Sequence, residues 1–101
     1  MTYIRPDIIH DAGKVATDGT RIAGCQNGTP ARTGAGAYTY TYSAGQGLDI
    51  TESAFLATCN TTLLDVAAVH TSDTVITVLT FDAAAAATDA IWSFIHLNLS
   101  F

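Results

Sequence analysis

Short runs that alternate between apolar and polar residues, or are apolar throughout, are separated by turn-forming residues roughly every eight to twelve positions. The clearest run is Ala37 to Ser43. It sends Tyr38, Tyr40 and Tyr42 to one face and Thr39 and Thr41 to the other, the period of two that defines a strand. Ala54 to Cys59, Leu64 to His70, Thr74 to Phe81 and Ala90 to Leu99 read as further strands. Thr20 to Gly24 and a stretch around Tyr3 are fainter. Asp18-Gly19, Asn27-Gly28, Gly34-Ala35-Gly36, Gly45-Gln46-Gly47 and Ser72-Asp73 supply the turns. Ala83 to Ala87 favours helix by propensity, but it is too short to stand alone and reads as a loop with at most one helical turn. The pattern predicts an all-β chain: a single antiparallel β-sandwich, jelly-roll-like, of seven or eight short strands. Residues 1–16 form an N-terminal arm or first strand, and residues 17–101 form the sandwich domain.

The faces of three strands predict what is covered. The Tyr38/Tyr40/Tyr42 stripe is core or subunit contact, because its rings are large and share one phase. Thr74 to Phe81 carries Ile76 and Val78 on one side and Val75, Leu79 and Phe81 on the other. Apolar on both sides, it is expected to be covered on both, which one small sandwich does not provide. In the last strand Ile91, Ser93, Ile95, Leu97, Leu99 and Phe101 share a face that is almost wholly apolar. The strand is therefore expected to be central in a sheet or buried at an oligomer axis, with Phe101 packed.

Composition narrows the chemistry. Of 101 residues 49% are hydrophobic and 13% charged, with a net charge of −5, and Thr and Ala make up about a third of the chain. One lysine and three arginines cannot form the basic patch that a phosphate backbone requires, so nucleic acid is excluded as a partner. No run approaches the ~18 apolar residues of a membrane span. Arg5-Pro6-Asp7 interrupts any secretory leader at the start.

Candidate reactive groups have structural explanations. Cys25 and Cys59 would close a loop of about 33 residues for roughly 3–4 kcal/mol if bonded. Otherwise they are two buried thiols, which the lack of a leader favours. No Cys-x-x-Cys or His-x₃-His spacing suggests zinc. His70-Thr71-Ser72-Asp73 holds the residue types of a hydrolytic triad, yet neighbours in a turn do not converge, and Asp73 is expected to bond its own backbone. The eight Asp and one Glu fall mostly in turns, and Asp49-x-x-Glu52 is the nearest approach to a calcium loop. Asn27-Gly28-Thr29, Asn60-Thr61-Thr62 and Asn98-Leu99-Ser100 match the glycosylation tripeptide, which matters only in a secreted chain. The reading is of a non-enzyme without cofactor or metal.

The phrases Thr33–Thr41, Asp49–Thr58, His70–Val75 and Thr88–Phe94, in that order, resemble small β-sandwich modules of tailed bacteriophages, over about two thirds of the chain. Such modules occur as capsid decoration (cement) proteins and at the ends of head or tail fibres. The resemblance implies a virion structural protein on the capsid surface or a fibre, commonly a homotrimer. Its partners would be copies of itself and the major capsid protein or another virion protein. The alternative it implies is a fibre-tip module that recognises a host-surface glycan.

Overall fold

A computed structural model describes residues 8–60 and 64–100. Among the described residues eight antiparallel strands lie in two packed four-stranded sheets, an all-β sandwich. They are β1 (Ile9–Val15), β2 (Arg21–Gly24), β3 (Gly28–Gly34), β4 (Ala37–Tyr42), β5 (Ser53–Cys59), β6 (Asp65–His70), β7 (Val75–Phe81) and β8 (Trp92–Asn98). The first sheet runs β2-β1-β8-β5 and the second β3-β4-β7-β6. Three connections are hairpins within a sheet; the other four cross from one sheet to the other. Residues from β1 and β8 therefore lie side by side at the centre of one sheet, and β4 and β7 at the centre of the other.

The core is built from facing aromatic stripes. Tyr38, Tyr40 and Tyr42 on β4 meet Trp92, Phe94 and His96 on β8, all six buried. Ile76 and Val78 on β7 and Val15 on β1 complete it, each fully buried. Phe94 stacks on Phe55 with ring centres 4.7 Å apart and lies 4.6 Å from Tyr40. Such ring pairs add ~0.5–1.5 kcal/mol each beyond their buried area. Trp92 Nε1 is buried with no hydrogen-bond partner among the described residues.

Several elements correct the sequence reading. β8 is central, and of the two places expected for its Ile/Leu face the core is taken by the opposite face, Trp92/Phe94/His96. Ile95 and Leu97 point outward and are half-buried, and Leu99 is exposed. Aromatic rings are long enough to span the ~10 Å between sheets, and the one polar member, His96, finds a hydroxyl inside. Hydropathy ranks the faces the other way because it credits neither. Phe101 lies outside the described residues. On β7 only the Ile76/Val78 face is covered by the chain itself; Leu79, on the other face, is 36% exposed.

β3 occupies a stretch that reads as turns. Its Pro30 pairs with Tyr40, and a strand at the sheet edge tolerates the missing N–H. The stretch around Tyr3 lies outside the described residues, among which the first strand is Ile9–Val15. Asp82 explains the alanine run. Its carboxylate accepts from Ala84 N and Ala86 N, both at 2.9 Å, and wraps the segment into a tight loop bridged by Phe81 and Ala87.

Candidate functional site

Two features of the sandwich are not explained by packing alone: a polar layer at one end of the core, and an apolar outer face on the first sheet.

The polar layer starts from Asp11. On β1 positions 11, 13 and 15 share the inward phase, with Asp11 opposite His96, Gly13 opposite Phe94 and Val15 opposite Trp92. Asp11 is therefore buried rather than in a turn, at 5% exposure. A buried carboxylate must be fully hydrogen-bonded, and the chain after β2 is shaped to do this. Gly24 and Cys25 both adopt positive φ, 65° and 56°. That succession curls the backbone so that N–H groups converge on an anion. Gln26 N and Asn27 N donate to the Asp11 carboxylate at 3.2 and 3.4 Å, and Ala12 N donates at 2.9 Å. Across the core Tyr40 donates its hydroxyl to Asp11 Oδ2 at 2.5 Å. Gly24 leaves no room for a Cβ against the Ala12 carbonyl, so glycine is required there on both counts. Burial pushes the Tyr40 and Tyr42 hydroxyls well above the usual tyrosine range, with the Asp11 charge acting in the same direction. Both remain neutral, and Tyr40 is the donor to Asp11.

Beside Asp11 the chain's three histidines meet. His96 is fully buried, and its Nδ1 is 2.7 Å from the Tyr42 hydroxyl. The His70 ring on β6 lies 5.1 Å from it and the His10 ring on β1 5.7 Å. His10 Nε2 is 2.6 Å from the Gln46 carbonyl, which ties the β4–β5 loop to β1. The Nε2 atoms of His70 and His96 are buried without a partner among the described residues. Burial, and then the other two imidazoles, lower the His96 pKa to about 4; burial lowers that of His70. Among the described residues no three His, Cys, Asp or Glu are disposed to hold a metal ion. Outside this layer, Gln26, Asn27, Thr29, Ser43 and Gln46 line a polar depression.

The outer face of the first sheet is set by register. Ile9, Leu97 and Ala54 form one cross-strand row; Ala12, Ile95 and Leu56 the next; Lys14, Ser93 and Thr58 the third. Ile9 is 54% exposed, Leu56 53% and Leu99 43%. Lys14 is the single charge in these rows. Leu56, Thr58, Ser93 and Ile95 frame a shallow depression in the middle.

The sequence candidates are distributed as follows. Tyr38, Tyr40, Tyr42, Ile76 and Val78 are inside, Ile95 and Leu97 belong to the outer face, and Leu99, just past β8, is exposed. Cys25 and Cys59 are free thiols, 25 buried and 59 half-buried, and burial raises the pKa of both. In the β6–β7 turn Ser72 caps the backbone, accepting from Thr74 N and Val75 N, whereas Asp73 accepts from Ile50 N instead of its own backbone. Asp49 is occupied by Thr51, whose N–H and hydroxyl both reach Oδ1. The three candidate glycosylation asparagines are each engaged: Asn27 with the His10 carbonyl, Asn60 with Ser93, Asn98 with Ser100. The polar layer escapes sequence reading because its members stand at positions 10, 11, 40, 42, 70 and 96. The one available signal is that His96 shares the phase of Trp92 and Phe94, and His70 that of Val66 and Ala68.

Comparison with family models, with curated proteins and with solved structures found no match for this chain.

Proposed function

We propose that this chain is a non-enzymatic structural protein of a tailed-phage virion, a capsid decoration protein that binds neighbouring capsid subunits and associates with itself as a trimer. The observation that carries the reading is the outer face of the first sheet. An apolar patch of this kind, on strands whose opposite face already supplies the core, marks an interaction surface. Its rows carry one charge, Lys14, around a shallow depression, so it suits another protein surface better than a small polar ligand. Leu79 and Val69, 36% and 57% exposed on the second sheet, give a further contact area.

Leu56→Asp tests this. It places a carboxylate in the middle of the face at a site where the side chain is already half in water. We expect wild-type protein to sediment as a trimer and to bind its particle. The variant should be a monomer that melts within a few degrees of wild type. A wild-type monomer at high concentration that binds no particle would defeat the reading.

A fibre-tip module for a host-surface glycan is the second reading. Its support is the uncharged amide- and hydroxyl-lined depression at the polar end, because the tyrosine rings are enclosed and offer no stacking surface. Binding on a glycan array that is lost in Gln26→Ala and Ser43→Ala variants would favour it over the first.

A further inference from the structure

We propose that the three-histidine end of the sandwich is an acid-operated latch: neutral imidazoles hold it shut, and proton uptake by His96 and His70 opens it. The geometry carries this. His96 has no exposed surface, and its one hydrogen bond, through Nδ1, goes to Tyr42. A protonated imidazole has two N–H donors. Whichever nitrogen carries the first proton, the cation needs an acceptor at both: Nδ1–H has the Tyr42 oxygen, and Nε2–H faces a site with no acceptor among the described residues. His70 Nε2, a ring's width away, is in the same position. A cation at either place is therefore buried, unpaired and beside another imidazole, which makes the charged form costly.

Every element packed against His96 contributes. From β1 come His10, which repels a second cation, and Asp11, which attracts one. The Asp11 carboxylate is already occupied by Tyr40 and three backbone N–H groups. From β4 comes the neutral Tyr42 and from β5 the apolar Phe55. From β6 comes His70, itself drawn the other way by Asp73 in the adjoining turn. Cys25 stands near Asp11 with its thiol protonated. Opposing the cation are burial, two imidazoles and a missing acceptor; favouring it are two carboxylates, one of them saturated.

The sign follows. Both histidines bind protons more weakly folded than unfolded, so their contribution to stability is complete above 6.5. It is lost as the pH falls towards about 4 for His96. The segments released first are those clasped by the cluster: the β4–β5 loop held at Gln46 by His10, and the β6–β7 turn that follows His70. Asp18, Asp49 and Asp89 are held below their ordinary 3.8 by hydrogen bonds or Arg32, so what they contribute to stability is lost only from about pH 5 downward, whereas the histidines act from 6.5.

The test uses imidazole NMR titration, denaturant unfolding and hydrogen exchange on the whole chain from pH 8 to pH 4.5. We expect His96 to stay neutral to the lower limit. The unfolding constant should rise by up to about tenfold per pH unit below 6 for each histidine withheld from protonation. Exchange should accelerate first in residues 43–52 and 70–75. A His70→Gln variant should show a shallower pH dependence; a misfolded His70→Gln leaves the wild-type titration and exchange to decide. His96 titrating near 6.5 in the folded protein, or stability flat from pH 7 to 4.5, overturns the proposal.

Discussion

Asp11 shows how much one side chain can organise. Its carboxylate gathers three backbone N–H groups and the Tyr40 hydroxyl, and so joins β1, the turn after β2, and β4 on the opposite sheet. Removing it orphans all four donors, each worth ~1–3 kcal/mol when buried. Some relax to water, so Asp11→Ala should lower stability by about 3 kcal/mol or more in urea unfolding. Tyr40→Phe removes one bond to the charge and should cost ~1.5–3 kcal/mol. Because the two share one contact, the double variant should fall short of the sum. Additive losses would mean that Asp11 and Tyr40 act separately. At the opposite end Arg32 and Asp89 form a second tie, with Arg32 NH2 3.0 Å from Oδ2 and Gly36 N donating to Oδ1 at 2.8 Å. That pair is partly exposed and contributes little beyond fixing the β3–β4 turn.

At the scale of a strand, the two faces of β7 separate packing from surface. Ile76 is fully buried and Leu79 is 36% exposed, three positions apart on one strand. Ile76→Ala should cost ~2–5 kcal/mol, the range for a buried aliphatic truncation. Leu79→Ser should change the stability of the isolated chain by less than about 0.5 kcal/mol, as surface substitutions do. Comparing both by thermal melts checks the register. A large loss at Leu79 in dilute protein would mean that this face is covered even in the monomer. In β8 the same logic places the energy on Trp92, Phe94 and His96. The outward Ile95 and Leu97 are left to serve a surface.

For the whole molecule the two sheets are held by aromatic packing and hydrogen bonds across the core, with no covalent tie. Cys25 sits beside Gly13, which leaves space for its sulfur, and Cys59 makes a weak contact to the Asp65 carbonyl at 3.4 Å. Intact mass should be the same with and without reductant, and the melting temperature insensitive to it. A mass lower by two hydrogens before reduction would show a bond that this arrangement does not contain. With burial raising both thiol pKa values, alkylation at neutral pH should be slow and faster at the half-buried Cys59 than at Cys25.

Local pattern determined the strands whose periodicity is strong. Tyr38-x-Tyr40-x-Tyr42 fixes a face because alternate side chains of a strand cannot do otherwise, and the spacing of turns fixes an all-β sandwich. It placed β8 either at the centre of a sheet or at an oligomer axis, because both of its faces carry bulky apolar residues; pairing with β1 and β5 makes it central. Which face of β8 turns inward was not decidable from hydropathy. It depends on the distance between sheets, which rings span, and on Tyr42 offering His96 a partner. The sequence likewise says nothing of β3, whose glycines and proline are tolerable only at an edge. Asp11 and the histidines are similar. Each is an ordinary polar residue until the crossings between sheets bring positions 10, 11, 40, 42, 70 and 96 into one layer. Pairing of β1 with β8 sets Asp11 against His96, and pairing of β6 with β7 sets His70 against Ile76. Periodicity acts over a few residues and is written in the chain; the environment of a buried charge is made by residues far apart in it, and only the tertiary structure supplies them.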